Sequence, residues 1–74
     1  MRIITSLLGE KRETTLDALL DTDMHCLFQY RVVNEKHRDF LKGYALVKGV
    51  DLNVIDAHFY GPVPSVVTIT FLDL

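Results

Sequence analysis

The closing run of the chain, SVVTITFLDL (residues 65–74), sets Val67, Ile69 and Phe71 on one side and Thr68 and Thr70 on the other. Successive side chains of a strand point to opposite faces. The pattern therefore demands a sheet with one face in a core and one face left to solvent or a partner. A second β-rich run, DLNVIDAHFY (51–60), precedes it, and GPVP (61–64) separates the two. Gly and Pro fix a turn there and cannot continue a ladder. The two runs are expected to pair as an antiparallel C-terminal hairpin.

The remaining elements follow from local pattern. RIITSLL (2–8), β-branched, apolar and closed by Gly9, predicts a strand, and GEKRE (9–13) a charged loop. Thr14 can cap a short helix, with Asp17 near its positive end. Leu16, Leu19 and Leu20 share a face at helical spacing, and Asp21 and Asp23 suit a helix C-terminus poorly, so the helix is expected to stop near Leu20. HCLFQYRVV (25–33) sets Cys26, Phe28, Tyr30 and Val32 against His25, Gln29 and Arg31, which reads as a half-buried strand. Its rival is a continuation of the first helix, because Leu16, Leu20, Met24, Leu27 and Phe28 also fit a helical stripe. Asn34 caps a second helix to Lys48, with Phe40, Leu41, Tyr44 and Val47 on one side and Gly49 in the left-handed closing position. The alternative ends that helix at Lys42 and opens a hairpin with YALV.

The order strand-helix-strand-helix-strand-strand predicts an α+β fold in one domain over residues 1–74. It would hold a mixed four-stranded sheet with two short helices on one face and a C-terminal β-hairpin. Starting at Met1 and ending in a well-formed strand, the chain reads as complete.

Size then bears on association. A core in 74 residues supplies roughly 3–5 kcal/mol of net stability, and such domains often need a disulfide, a metal or a partner chain. Cys26 is the sole cysteine, which rules out an internal disulfide and a cysteine-rich zinc site. With 49% of residues in the hydrophobic class, a homodimer or a complex is the expected way to cover the surplus. No secretory signal or membrane span is visible, and a lone cysteine fits a cytoplasmic setting.

Alternation also assigns the uncovered sheet face. The second strand offers Asp23, His25, Leu27, Gln29, Arg31 and Val33. The third offers Leu52, Val54, Asp56, His58 and Tyr60, and the fourth Val66, Thr68, Thr70 and Leu72. Apolar and aromatic anchors with a polar rim have the character of an interface. The spacing Asp-x-His occurs twice on it, as Asp23/His25 and Asp56/His58. If the strands are neighbours, His25, Asp56 and His58 form a candidate metal or small-ligand site. His37, near a helix start, is expected in solvent.

Charge limits the partner. Net charge is −2, with 8 basic and 10 acidic residues, which counts against non-specific nucleic-acid binding. Residues 31–48 carry five basic residues against Glu35 and Asp39, a local +3. That segment is the candidate nucleic-acid site if one exists, and equally a patch for an acidic protein surface. No glycine-rich phosphate loop or nucleophile elbow is present, and Cys26 falls on the apolar side of its strand, where it reads as a small core residue. The chain is therefore expected to be a non-enzyme without a cofactor. Its function would be to bind another protein as a regulator or inhibitor, as small phage-encoded inhibitors of host machinery do. The expected partner-binding residues are Gln29, Arg31, Lys36, Arg38, Lys42, His58 and Tyr60.

Overall fold

The computed structural model describes residues 1–22, 25–58 and 65–74. Asp23, Met24, the Cys26 side chain and residues 59–64, including Tyr60 and the GPVP turn, lie outside the described residues.

The first strand, β1 (Arg2–Leu7), does not lead into a loop. It turns through Leu8 and Gly9 into a second strand, β2 (Glu10–Thr15), with Leu7 opposite Glu10 and Arg2 opposite Thr15. Both turn residues have positive φ, 53° at Leu8 and 83° at Gly9. This is the two-residue connection whose twist matches a hairpin, and glycine serves its second position without strain. Leucine does not serve the first so well. A left-handed backbone costs an L-residue with a full side chain roughly 1–2 kcal/mol. The charged run expected as a loop is thus an edge strand, held by its partner and not by its own poor β-propensity.

Thr15, one residue later than expected, caps α1 (Leu16–Leu20), its side chain accepting from the Ala18 N–H at 3.2 Å. The helix ends at Leu20 as expected and buries Leu16 and Leu20. The rival long helix does not form. His25–Leu27 make a single 3-10 turn, and only Gln29–Arg31 are strand (β3) out of the nine residues 25–33. The second helix, α2 (Glu35–Lys48), matches its expected bounds. Asn34 Oδ1 accepts from the Lys36 and His37 N–H groups at 3.0 and 3.2 Å. At the other end Gly49 has φ 74°, its N–H reaches the Leu46 carbonyl, and that of Val50 reaches the Ala45 carbonyl. This doubly bonded cap needs a left-handed residue just past the helix. Val47, expected on the packed side, is 86% exposed, and Ala45 takes the buried place.

The fourth strand, β4, is only Val54–Ile55, while β5 runs Val66–Phe71. They do not form a hairpin. The five strands lie in the order β2-β1-β5-β3-β4. β1 is antiparallel to both β2 and β5, and β3 is parallel to both β5 and β4. Two β-rich runs flanking a Gly-Pro sequence favour a hairpin locally. Here β3 stands between them, and β5 gains a ladder on each side. The hairpin of the fold is the N-terminal one.

The class is as expected: an α+β arrangement of one mixed sheet and two helices. Register explains the core. Ile3 faces Phe71, Tyr30 faces Val67, and Ile69 faces Thr5. Residues opposite one another share a face, so Ile3, Tyr30, Val67, Ile69 and Phe71 join Leu16, Leu20, Leu41 and Ala45 of the helices in one buried cluster. Each fully buried side chain of this kind contributes about 1.5–3 kcal/mol of transfer free energy. His37, expected in solvent, is half-buried and stands edge-on to Phe71, with ring centroids 5.4 Å apart. No helix among the described residues is long and apolar enough to cross a membrane.

Candidate partner-binding surface

The face away from the helices is built by the same register. Ile55, Arg31, Thr68, Ser6 and Lys11 are successive partners across all five strands. Thr70, Ile4 and Glu13 make a second row, and Gln29 with Val66 a third. Among the described residues no element covers this face. It carries aliphatic groups, hydroxyls and separated charges, a mixed surface of the kind found at interfaces.

Arg31 lies near its centre. Its Nη2 donates to Thr68 Oγ1 at 3.1 Å. Its Nε is shielded from solvent and has no hydrogen-bond partner among the described residues, and the same holds for Oε1 of Gln29, two residues earlier on the same face. A desolvated donor or acceptor left unmatched costs about 1–3 kcal/mol. One donor and one acceptor in this state lie on one side of one short strand.

The other expected binding residues are not on this face. Lys36, Arg38 and Lys42 belong to α2, in the layer on the opposite side of the sheet. Arg38 and Lys42, one turn apart, add favourable charge at the Asp56 carboxylate, which follows β4. Asp56 Oδ1 accepts the His58 N–H at 2.9 Å. This hydrogen bond is the main cause that holds the Asp56 carboxyl below its usual range, with Arg38, His58 and Lys42 adding to it. His58 is exposed. The structure therefore divides the expected residues into a sheet-face pair, Gln29 and Arg31, and a separate group of Arg38, Lys42, Asp56 and His58. It also parts Arg31 from the basic residues of α2, so the +3 segment is not one basic surface.

Alternation had the wrong phase for the third predicted strand. Val54 faces buried Tyr30 and so lies on the helix side, with Leu52 also packed against the core, while Ile55 lies on the open side. The topology separates the residues of the candidate metal site. β3 and β4 are parallel with Tyr30 opposite Val54. His25 precedes β3 and His58 follows β4, so the two imidazoles leave the sheet at opposite ends. His25 instead holds its Nδ1 against the Thr22 carbonyl oxygen. Among the described residues no three His, Cys, Asp or Glu gather as metal ligands would. β5 is central, which leaves it no free edge for another chain. Ile4, Ser6, Lys11 and Glu13 were not assigned to the open face from sequence. The alternation of Ile4 and Ser6 against Ile3 and Thr5 was the available signal for the first two.

No protein-family model matches the chain, and no curated protein and no solved structure matches it.

Proposed function

We propose that this chain is a small non-catalytic protein-binding module, a regulator or inhibitor of a larger protein, acting in the cytoplasm and as a dimer. The observation that carries the reading is the pair Gln29 and Arg31, with an acceptor and a donor desolvated and unmatched on a sheet face that no described element covers. Burial of unmatched polar atoms is unfavourable for the free domain, and a partner that supplies the complementary atoms converts that cost into binding selectivity. A phage-type inhibitor of host machinery is a protein of this kind.

Affinity capture from lysate tests the proposal, with wild-type chain and an Arg31→Leu/Gln29→Leu variant side by side. The expected result is a protein retained by the wild type and lost by the variant, with the interaction reproduced between the two purified proteins. Retention of nucleic acid in place of protein, or equal retention by both chains, overturns it.

A further inference from the structure

We propose that two copies associate about a two-fold axis, with Leu8 at the tip of each β1–β2 hairpin entering an apolar groove beside that hairpin in the other copy. This rests on the dimer part of the reading above and gives it a surface separate from the open sheet face.

Leu8 is 81% exposed and has φ 53°. The position is one that turn chemistry fills with Asn or Gly. An aliphatic side chain there adds backbone strain and wetted apolar surface, and the fold itself gains little from either. Beside the turn, on the helix side of the sheet, lies an open groove of about 360 Å³. Leu7, Leu19, Phe28 and Val67 give it an apolar lining, and Glu10 and Arg12 stand on its wall. Its volume is enough to take in one aliphatic side chain with room at the mouth, since small-molecule pockets start at about 300 Å³.

Knob and hole are neighbours: Leu7 and Glu10, which bracket the turn, both line the groove. A two-fold interface requires one patch to hold both halves of the contact, so that each copy gives what it receives. This patch does. Its charges are self-complementary as well. Arg12 Nε and Nη2 donate to Glu10 Oε1 at 3.1 and 2.7 Å, and across the axis Arg12 of one copy meets Glu10 of the other, with no net charge to repel them.

Edge-to-edge pairing of β2 is a poorer route to a dimer. In a two-fold antiparallel pair the central residue faces its own copy, and a register centred in the charged stretch sets Lys11, Arg12 or Glu13 against itself. Like charges directly opposite destabilise a strand pair, and charged edges of this kind discourage strand addition. The area needed is modest. A specific interface buries about 1,200 Å² in total, or roughly 600 Å² per copy, which is near an eighth of the 4997 Å² exposed by one chain.

The test is sedimentation equilibrium from low micromolar to millimolar concentration on the wild type, Leu8→Asp and Leu8→Asn. The wild type is expected to dimerise and both variants to associate about tenfold more weakly or worse. Leu8→Asn also relaxes the turn, so its monomer is expected to melt at a higher temperature than the wild type, which separates loss of the knob from loss of folding. In a mixed sample of labelled and unlabelled wild type, intermolecular NOEs are expected from Leu8 methyls to the Phe28 ring. A dimer that persists in Leu8→Asn, or that lacks those NOEs, overturns this surface and leaves the dimer reading standing. A wild type that stays monomeric overturns both, while capture of a protein through Arg31 would still stand. Shifts of Phe28 and Leu19 on adding 8-anilinonaphthalene-1-sulfonate, with none on raising protein concentration, would give the groove to a small ligand and also refute the proposal.

Discussion

Arg31 and Thr68 are register partners on β3 and β5, and the guanidinium Nη2 donates to the threonine hydroxyl at 3.1 Å on the open sheet face. Only part of the guanidinium is matched among the described residues, where Nε is desolvated and has no partner.

Stability and binding should therefore respond in opposite directions at this pair. Thr68→Val removes the acceptor and leaves Nη2 unmatched, with an expected loss of about 1 kcal/mol in urea unfolding. Arg31→Leu/Thr68→Val removes the whole polar pair and should recover that loss or exceed it, since replacing both partners with apolar groups is often neutral or better. If the face binds a protein, the double variant should nevertheless bind it worst. A double variant that is both less stable and fully competent to bind would contradict the reading.

The parts of this fold that were legible from sequence are those decided within a few residues. Asn34, Gly49 and the leucines at positions 16 and 20 gave the two helices, because caps and helical spacing are local chemistry. The in-out pattern of Val67 to Phe71 held because β5 is paired on both sides. The missed parts depend on distant partners. β2 has the composition of a loop and becomes a strand only because β1 is beside it. β4 shrinks to Val54–Ile55, so alternation read across ten residues lost its phase and put Val54 on the wrong face. The candidate site suffered for the same reason. Gln29 and Arg31 were placed correctly from their own strand, whereas Asp56 and His58 were placed by a strand that does not extend that far.

The Tyr44 hydroxyl on α2 donates to Asp17 Oδ1 on α1 at 2.5 Å, and Lys48 lies 3.9 Å from the same carboxylate atom. The hydrogen bond to Asp17 is the main reason that the Tyr44 pKa is raised above 10.0. A raised value means that the folded state holds the phenol proton more tightly. The stabilisation is complete below pH 10.0 and is lost as pH rises through the native value. Tyr44→Phe should be slightly less stable than the wild type at neutral pH and should converge with it in strong alkali. Thermal melts of both chains from pH 7 upward check this, and a constant gap across the range would refute it.

The two ends of the described chain are joined by Arg2 and Asp73. The Arg2 backbone N–H and Nη2 donate to the two Asp73 carboxylate oxygens at 3.0 and 3.3 Å. The backbone bond is the larger cause lowering the Asp73 pKa from 3.8, followed by the side-chain bond. The folded state here favours the ionised form, so the contribution is present above pH 3.8 and disappears as pH falls through the lowered native value. Asp73→Asn should be less stable than the wild type at neutral pH and equal to it in acid. Asp56→Asn should show the same behaviour, because an amide oxygen can still accept the His58 N–H, as it can the Arg2 N–H at position 73, while the attraction of Arg38, His58 and Lys42 is lost. Urea midpoints from pH 2 to 7 measure both, and an unchanged gap in acid would count against the assignment.

The histidines allow a last test of topology. His25 and His58 flank parallel neighbours at opposite ends, and a tetrahedral zinc site needs its ligands within about 2.0–2.3 Å of one ion. A single imidazole with at most a nearby carboxylate binds zinc weakly and without a fixed geometry, so two such groups far apart should behave as independent weak sites. Calorimetric zinc titration should therefore give no tight stoichiometric event, and His25→Ala/His58→Ala should differ from the wild type by no more than the sum of the two single variants, as non-interacting positions do. A tight one-to-one isotherm abolished equally by either single substitution would mean that both imidazoles reach one ion, and would require β3 and β4 to be arranged otherwise than in parallel.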